Sequence, residues 1–556
     1  CVSLLMSLQS YYQELYSSLP LPKESLSKLK LELCRKHEIK KVPTDIELFL
    51  NASDDMKKFI QSKPMRTRSG VSPIAIMTAP ARCPHGRCTF CPGGLNSPWG
   101  DVPQSYTGHE PATLRAIRND YDSYLQVFNR LEQFTVMGHV CDKAEVIVMG
   151  GTFPSMSKEY QDTFVTFAFK AMNDFGAHFF GKGSFDADAF KSFFELPGDI
   201  NDASRALRIK EHLKGLRGAS SLESEQARNE RAAIRCVGLT IETKPDWAKL
   251  EHANQMLRLG CTRVELGIES VYDDVLKHTN RGHDVKDTKE AMRVLKDLGF
   301  KVNAHYMPGL PLTERSRDLA GMRQLFDDPD FRPDMLKIYP CMVSPGTALE
   351  REWKAGKFAP LSTEEAASLI AEFKPSIPEY CRIMRVQRDV PTKYWSAGVG
   401  ITNLRQQISE VNKPVCRCIR CREPNGRQPD WASVKMQVKE YEASGGREFF
   451  IAMEDTKQDI LLGFCRLRFP SQCLREEITP TSALIRELHV YGETVRLGEK
   501  GNVQHRGIGQ ALLSEAERIA RAEGKDKMVV ISGVGVREYY YKHGYAREGP
   551  YVSKKL

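Results

Sequence analysis

Long apolar runs are absent from this sequence. No stretch of eighteen apolar residues occurs, so we expect no membrane-spanning helix and no membrane partner. Internal repeats and low-complexity tracts are also missing, which argues against a repeat architecture. Residues 1–18 lack the basic segment of a secretory leader, so we expect no signal peptide, and the first residue is Cys1 rather than Met, which leaves the true start open. Together these absences predict a cytoplasmic protein.

The bulk composition is that of an ordinary globular chain. It has 556 residues, enough for two or three domains, with 41% hydrophobic and 27% charged residues. The net charge of +9 permits nucleic-acid binding without establishing it. Fifteen cysteines fall partly into tight groups, which in a reducing compartment indicates bound metal rather than a disulfide framework.

The first cysteine group is Cys83, Cys88 and Cys91, followed by a Pro-Gly-Gly turn. Three thiolates can hold three irons of a [4Fe–4S] cluster and leave the fourth iron open to S-adenosylmethionine (SAM). The spacing C-x4-C-x2-C is one residue longer than the commonest radical-SAM spacing. The alternative is a zinc knuckle completed by a remote ligand such as His85 or His109. The stretch by itself favours the cluster.

A second group, Cys416, Cys418 and Cys421, lies among polar residues. Its C-x-C-x2-C spacing predicts a structural zinc, with Cys465, Cys473 or a histidine as candidate fourth ligand. Reduced surface thiols are the alternative.

Alternating strand and helix patterns occupy 71–394 and predict an α/β domain. Short apolar runs mark six strands, at 74–79, 145–149, 237–241, 264–268, 302–306 and 336–339. One helical stripe of apolar residues runs from Leu114 to Leu131, with Glu110-Pro111 at its start. The polar stretch 200–232 predicts a surface helix pair or a partly mobile segment. Repeated βα units favour a parallel sheet or barrel.

Several predicted strands end in residues suited to a ligand site. Gly150, Gly151 and Thr152 follow the second strand, and paired glycines allow close approach of a ligand. Glu242 and Lys244 end the third strand. The fourth strand carries Glu265 and Glu269, and because buried carboxylates are costly unless paired or ligand-bound, we interpret them as functional. Later strands add further candidates for the cavity lining: Asn303, His305 and Lys337.

The chain from 431 onward changes to a pattern of strands and late helices. Gln504, His505, Arg506, Gly507, Ile508 and Gly509 form a Q-x-x-G-x-G segment that opens a helix, where backbone N–H groups favour a pyrophosphate. A strand candidate precedes it and contains Glu487, Leu488, His489 and Val490. Tyr539 and Tyr540 follow in a run of three tyrosines. This order resembles that of GNAT acetyltransferases, in which a tyrosine after the last helix is a common general acid.

Basic residues cluster near the N-terminus, in a helical region at 1–62 and the loop after it. We predict phosphate contacts for two sets within it: Arg35, Lys36, Lys40 and Lys41, and then Lys63, Arg66 and Arg68. A solvated surface is the equally weighted alternative.

A radical-SAM-like module followed by a GNAT-like module resembles the Elongator catalytic-subunit family, which makes 5-carboxymethyluridine at the tRNA wobble position. The resemblance covers nearly the whole chain and rests on motifs at 81–94, 105–111, 241–246, 264–270, 337–340, 387–391, 416–421, 487–492 and 504–509. The short cysteine spacing is similar to that of archaeal members. The resemblance therefore does not imply large Elongator partners, and it implies a monomer or a homodimer.

The resemblance implies a partial (β/α)6-type radical-SAM barrel at 71–394 and an α+β GNAT domain at 431–556. A helical, basic tRNA-binding segment at 1–70 and a zinc-binding linker at 395–430 complete the expected organisation. Its cofactors and substrates are a [4Fe–4S] cluster, SAM, zinc, acetyl-CoA, tRNA and an electron donor.

The resemblance also implies roles for individual residues. Cys83, Cys88 and Cys91 would ligate iron, and Gly150, Gly151 and Thr152 would hold the SAM amino group, although radical-SAM enzymes often have Glu where Thr152 stands. The remaining roles divide among SAM contacts (Glu242, Lys244 and Glu269), coenzyme A contacts (487–490 and 504–509), the thioester (Tyr539 and Tyr540) and a tRNA phosphate (Arg388).

Two rival functions remain open from the sequence. One is a protein lysine acetyltransferase whose first module binds SAM or tRNA only structurally. The other is a non-catalytic tRNA-binding scaffold whose cysteines hold zinc alone. An open-iron cluster would be of no use to a plain acetyltransferase, which argues against the first of them.

Overall fold

The described part of the chain comprises residues 2–53, 56, 59–60, 70–139, 141–181, 184–196, 198, 202–411, 415–491 and 507–556 of a computed structural model. Within these residues, no helix is both long enough and apolar enough to cross a membrane.

Three helices form the N-terminal segment: α1 (Val2–Ser17), α2 (Lys23–Lys36) and α3 (Asp45–Asn51). The side chain of Thr44 accepts from the backbone N–H of Glu47, and the Glu47 carboxylate accepts from that of Thr44, so the predicted N-cap is a capping box. Tyr11, Leu15 and Leu48 are fully buried in a core that this segment builds from its own helices.

Seven parallel strands form the first sheet. They are β1 (Ser72–Met77), β4 (Lys143–Met149), β5 (Arg235–Thr243), β6 (Arg263–Glu269), β7 (Lys301–Tyr306), β8 (Met335–Ile338) and β9 (Arg382–Val386), joined in that order. In the sequence, a small separate hairpin of β2 (Gly94–Ser97) and β3 (Gly100–Val102) comes between β1 and β4. All six predicted strands are present, and this open half-barrel confirms the predicted α/β class.

Helices follow and separate these strands. Their bounds are α4 (Pro111–Arg118), α5 (Ser123–Val136), α6 (Lys158–Phe179), α7 (Ala187–Phe193), α8 (Ala203–Arg217), α9 (Leu222–Asn229), α10 (Leu250–Arg258), α11 (Asp273–His278), α12 (Val285–Asp297), α13 (Arg315–Asp327), α14 (Ala348–Lys354) and α15 (Thr363–Phe373). The pair α8 and α9 matches the helix pair expected at 200–232.

The single helical stripe expected from Leu114 to Leu131 is wrong. The chain leaves the helix at 119–122, where Asp120 and Tyr121 both have positive φ, and α5 restarts with Asp122 as its N-cap. Leu114 and Ile117 are exposed, whereas Leu131 is fully buried. The helical spacing of apolar residues therefore continues across 119–122, although the left-handed backbone there ends one helix before the next begins.

The connector and second sheet complete the chain. The connector holds α16 (Leu404–Glu410) and α17 (Ile419–Arg422), and the second sheet has the order β10-β11-β12-β13-β14-β16-β15. Its elements are β10 (Val434–Ala443), β11 (Gly446–Asp455), β12 (Ile460–Phe469), β13 (Ser482–Val490), α18 (Ile508–Ala522), β14 (Lys527–Val530), α19 (Arg537–Tyr541), β15 (Ala546–Glu548) and β16 (Tyr551–Lys555). Strands β13 and β14 are its one parallel pair among the described residues.

A buried ion network joins the two sheets. Arg486 of β13 donates to both carboxylate oxygens of Asp334, which precedes β8, at 2.8 and 2.6 Å. Arg468 of β12 donates from Nε to Asp297 at 2.8 Å. Glu448 accepts from both arginines within the second sheet. The N-terminal ends of the barrel strands are thereby fixed against the second sheet.

Candidate functional site

The first cavity lies at the carboxyl ends of the barrel strands and has a volume of about 430 Å³. Parallel strands bring residues that are far apart in sequence to one edge of the sheet. The predicted residues that it gathers are Cys83, Cys88, Cys91, Gly151, Thr152, Glu242, Lys244, Glu265, Glu269, His305, Lys337 and Arg388.

The cysteine loop forms one wall of this cavity. Cys88 and Cys91 are buried, and Cys83 is half-buried. Arg281 donates from Nη1 to Cys88 Sγ at 3.3 Å, and the backbone N–H of Ser105 donates to Cys91 Sγ at 3.3 Å. Burial raises the pKa of both thiols, while Arg281 and the Ser105 N–H act in the opposite direction. The loop therefore supplies three sulfur ligands that are already oriented by donors.

The three sulfur atoms of this loop are too widely spaced for one zinc ion. Three ligands bound to one zinc at about 2.3 Å must lie within about 4.6 Å of one another. Among the described residues, the only group of three or more candidate ligands within 4.8 Å of one another is Cys416, Cys418 and Cys421. The wider spacing at 83–91 suits a cluster of several irons, and it disfavours the zinc-knuckle alternative.

The glycine pair after β4 closes the floor of the cavity. Gly150 has φ +127° and Gly151 has φ +101°, both in the left-handed region that favours glycine. A Cβ on Gly150 would come within 2.1 Å of Thr78 Oγ1. Thr152 Oγ1 lies 3.7 Å from Cys83 Sγ. The predicted loop is therefore adjacent to the cysteine loop, and only glycine fits at its first position.

A network of carboxylates lines the centre of the cavity. Tyr106 donates its hydroxyl to Glu242 Oε2 at 2.9 Å, and burial raises the pKa of Glu242. Glu265 lies 3.0 Å from His305 Nε2 and forms an ion pair with Lys337. Burial opposes ionisation of Glu265, but Lys337 and His305 hold its pKa well below its usual range. The pKa values of these two carboxylates, which line the same cavity, are therefore shifted in opposite directions.

Glu269 and Lys244 stand nearer the cysteine loop. Glu269 has φ +62°, an unusual conformation for a non-glycine residue, and its Oε1 lies 3.6 Å from Arg281 Nη2. Its buried Oε2 has no hydrogen-bond partner among the described residues. Lys244 Nζ lies 2.9 Å from Asp246, and burial lowers the pKa of Lys244. The free oxygen of Glu269 is available to a bound amine.

A second cavity, of about 560 Å³, lies between the two sheets. It is lined from the second sheet by Glu487, Leu488, His489, Val490, Gly507, Ile508, Gly509, Tyr539 and Tyr540. Gly507 has φ +80° and is the N-cap of α18, so the unpaired backbone N–H groups of the first turn of this helix lie at the cavity. Glu487 is paired with Arg466 at 2.8 Å, and burial lowers the pKa of His489 to about 4.

The two predicted tyrosines differ in their surroundings. The hydroxyl of Tyr539 is buried without a partner among the described residues, and it lies 3.1 Å from the position that a Cβ on Gly509 would take. Burial raises its pKa to about 12. Tyr540 packs edge-on against Tyr539 and Tyr545 in the apolar core of the second sheet. Tyr539 therefore presents a proton to the cavity, and Tyr540 has a mainly packing environment.

Comparison with known proteins follows the same division of the chain. Residues 78–320 match the Radical SAM superfamily, 333–414 the Radical_SAM C-terminal domain, and 415–545 the Acetyltransferase (GNAT) family. A Methanocaldococcus infernus protein named tRNA uridine(34) acetyltransferase is 43% identical over 96% of both chains. Elongator complex protein 3 of Saccharomyces cerevisiae is 39% identical over 96% of this chain and 92% of its own.

The chain belongs to the Elongator complex protein 3 family. A solved structure, the archaeal Methanocaldococcus infernus Elp3 with an N-terminal deletion, covers 88% of this chain at 40% identity with a TM-score of 0.71. A Radical SAM domain implies SAM and a [4Fe–4S] cluster, and a GNAT domain implies acetyl-CoA. The widely spaced thiols, the unpartnered Glu269 Oε2 and the start of α18 fit these groups.

The second cysteine group of this family member lies at the start of α17. Cys416 and Cys418 are half-buried and buried, and Cys421 is exposed. No other described residue joins their sulfur atoms within 4.8 Å, so neither Cys465 nor Cys473, two of the candidates for a fourth ligand, belongs to this group. Cys465 is fully buried inside the second sheet, where its neighbours are apolar. Three thiolates at this separation are suited to one tetrahedral ion.

The predicted phosphate-binding residues are distributed over several places. Arg35, Lys36, Lys40 and Lys41 are exposed at and beyond the end of α2, and Lys36 pairs with Glu14 at 2.6 Å. Arg388 instead lines the first cavity, where it contacts the backbone oxygen of Ser105 and stands 5.6 Å from the Tyr106 ring. Six predicted residues lie outside the described part of the chain: Lys63, Arg66, Arg68, Gln504, His505 and Arg506.

Sequence reasoning missed several residues that shape the two cavities. Arg281 holds Cys88 from 193 positions away. Tyr106 partners Glu242, and its only sequence signal was its place in the 105–111 motif. The second cavity also receives basic side chains from the barrel: Lys143, Arg263, Lys301 and Arg382. These residues come from separate strands, so only the register of the sheet brings them together.

Proposed function

We propose that this protein uses SAM-derived radical chemistry and acetyl-CoA to make 5-carboxymethyluridine at the wobble position of tRNA anticodons. The observation that carries the proposal is the pairing of two cavities in one chain. One has a wide thiol triad at the carboxyl ends of the barrel, and the other has a helix N-terminus and a free tyrosine hydroxyl at the amino ends. The names of the archaeal relatives place their action at tRNA uridine 34.

Cys83, Cys88 and Cys91 hold the cluster in this proposal. With SAM and a reduced cluster bound there, the site would supply a 5′-deoxyadenosyl radical able to take a hydrogen atom from the acetyl methyl group. Arg281 fixes the loop by its donation to Cys88 Sγ. Gly150 and Gly151 let the backbone approach the SAM amino acid, and the unpartnered Glu269 Oε2 accepts from its ammonium group.

The second cavity binds acetyl-CoA in this proposal. Backbone N–H groups from Gly507 and the first turn of α18 bind the pyrophosphate. Gln504, His505 and Arg506 precede that turn and contribute to the same contact. Tyr539 keeps its proton at neutral pH because its pKa is about 12, so in this cavity its hydroxyl can donate a hydrogen bond to the thioester. Hydrolysis of the thioester leaves the carboxymethyl group.

The uridine enters the first cavity in this proposal. A wobble base must leave its stack before its C5 can be reached, and Tyr106 with Arg388 above its ring offers a surface for it. Glu242 has a raised pKa and could accept the proton that C5 loses after the carbon radical adds, while the electron left on the ring would return to the oxidised cluster. Arg388 and the exposed basic residues after α2 bind tRNA phosphates, a contact that salt weakens. In this proposal, zinc bound by Cys416, Cys418 and Cys421 stabilises the connector between the two sheets.

An anaerobic product assay tests the proposal. The protein is reconstituted with iron and sulfide and incubated with tRNA, SAM, acetyl-CoA and a reductant, and digested nucleosides are analysed by mass spectrometry. We expect a carboxymethyl mass on uridine and its loss when SAM or acetyl-CoA is omitted. Acetyl-lysine on a protein with unmodified tRNA would instead identify a lysine acetyltransferase, and zinc at 83–91 without SAM cleavage would identify a scaffold.

A further inference from the structure

The interior of the half-barrel carries several buried polar side chains, which is unusual for a barrel core. Such interiors are ordinarily filled by branched apolar side chains. Here the inward positions of the central strands carry Glu145, Thr240, Arg263, Glu265 and Asn303. Of these, Thr240 and Asn303 are fully buried, and Arg263 and Glu265 nearly so. A polar interior has to be maintained against a desolvation cost, so it needs a reason other than packing.

The two cavities meet this interior from opposite ends of the same strands. On β4, Glu145 lines the second cavity, and Ile147, two positions on, lines the first. On β6, Arg263 lines the second cavity, and Glu265, two positions on, lines the first. Alternate residues of a strand point to one face, so each pair shares the inward face. The six steps from Lys143 to Met149 correspond to about 20 Å at about 3.3 Å per residue.

Thr240 and Asn303 lie in the thin layer between the cavities. Thr240 stands between Gly238, which lines the second cavity, and Glu242, which lines the first. On β7, Asn303 stands in the same way between Lys301 and His305. The hydroxyl of Thr240 and Oδ1 of Asn303 are buried without a hydrogen-bond partner among the described residues. These atoms are free to bind a polar ligand.

One ion pair borders this layer on the side of the second cavity. Arg263 Nη1 lies 2.6 Å from Glu145 Oε1, so the pair spans from β6 to β4 over the intervening strand β5. Gly238 is the residue of β5 paired with Glu145, and its missing side chain leaves room above the strand. Nε and Nη2 of Arg263 have no hydrogen-bond partner among the described residues. The pair therefore lies on the second-cavity side of the layer, and Arg263 has donors to spare for a ligand.

We infer that the half-barrel interior is a passage through which the acyl end of acetyl-CoA reaches the SAM cavity from the GNAT cavity. This inference rests on the proposed function. The ligand is a short acyl thioester on a linear, amide-bearing arm. Its amide and carbonyl groups match the unpartnered donors of Arg263 and Thr240 and the unpartnered oxygen of Asn303. Lys143, Lys301 and Arg382 at the entrance favour the anionic nucleotide, which stays in the second cavity.

Cysteine labelling of the full-length protein tests the passage without any radical chemistry. In Thr240→Cys, chloroacetyl-coenzyme A should alkylate the new thiol, and saturating coenzyme A should suppress the reaction. Ile241→Cys is the matched control, because Ile241 lies on the opposite face of β5 in the apolar core. Peptide mapping by mass spectrometry locates the adduct. An unlabelled thiol at position 240, whether or not iodoacetamide reaches it, would overturn the passage.

A volume series at the same position connects the passage to product. Thr240→Val keeps the size of the side chain and removes only its hydroxyl, so the yield of modified tRNA should fall much less than in Thr240→Phe. Thr240→Phe fills the layer and should lower that yield about a hundredfold, with acetyl-CoA binding and SAM cleavage retained. Wild-type yield in folded Thr240→Phe would contradict the inference. Failure of the proposed function is distinguishable, because the unmutated protein would then leave tRNA unmodified.

Discussion

Arg486 Nη2 donates to Asp334 Oδ1 over 2.6 Å, and neither side chain is exposed to solvent. Burial opposes ionisation of Asp334, but Arg486, Lys296 and Arg466 hold its pKa far below the usual range. The contact joins a strand of the second sheet to the N-terminal end of a barrel strand. It therefore fixes the entrance of the second cavity relative to the barrel.

Arg486→Met should destabilise the folded protein by about 3–5 kcal/mol, because it leaves Asp334 buried without its main partner. Chemical denaturation followed by circular dichroism measures the change. Arg518→Met is the control, since Arg518 is largely exposed and its solvent-screened pair with Glu515 should contribute little to stability. Equal effects of the two substitutions would show that the buried pair does not hold the sheets together.

Cys88→Ser should abolish the iron–sulfur absorption band and SAM cleavage, because the buried thiol that Arg281 orients is lost. Absorption spectra and 5′-deoxyadenosine yield after anaerobic reconstitution report the two effects. Cys473→Ser should change neither, since Cys473 is exposed and separate from both cysteine groups. A persistent cluster in Cys88→Ser would exclude this thiol as a ligand.

Cys418→Ser should remove zinc and leave the iron content unchanged. Cys418 is the buried member of the compact group, and losing one thiolate from a tetrahedral site weakens binding strongly. Elemental analysis of the same reconstituted sample gives both metals. In Cys88→Ser the pattern should reverse, with zinc retained. Loss of both metals in either variant would point to general misfolding.

Tyr539→Phe should lower the rate of product formation about a hundredfold while acetyl-CoA affinity is unchanged. Its hydroxyl is the unpartnered group aimed at the start of α18. Because its pKa is about 12, wild-type activity should show no loss from tyrosine ionisation between about pH 7 and 9. Tyr541→Phe is the control, since Tyr541 contacts Glu230 outside both cavities. A normal rate in Tyr539→Phe would remove this residue from the chemistry.

His489 should make the protein lose stability in mild acid. Burial lowers its folded pKa to about 4, below the unfolded value of about 6.5. The unfolded chain then binds the extra proton, so the contribution is present above about pH 6.5 and is lost as pH falls toward 4. His489→Phe should show a smaller difference between denaturation at pH 5 and pH 7.5 than wild type. An unchanged difference would show that another group causes the acid loss.

Local patterns predicted much of the fold. Six barrel strands were recognisable as apolar runs, but β9 was not, because arginines at Arg382 and Arg385 interrupt its apolar positions. The break between α4 and α5 was hidden as well, since it depends on the left-handed backbone at Asp120 and Tyr121. That break leaves the local spacing of apolar residues unchanged.

The cavities were predictable only where their residues are close in sequence. The cysteine loop and the glycine pair could be found in this way. The ion pair of Arg263 with Glu145 could not be found in this way, because the two residues are 118 positions apart in the sequence. In the sheet, their strands lie on either side of β5, which contributes Gly238 between them. Such contacts follow from sheet register, which no short motif records.

The placement of the two cavities at opposite ends of one barrel also has a kinetic consequence. A nucleic acid at the carboxyl ends and a nucleotide thioester at the amino ends do not compete for the same entrance. We therefore expect both substrates to be bound together before either reacts. Initial-rate plots against one substrate at fixed levels of the other should intersect rather than run parallel.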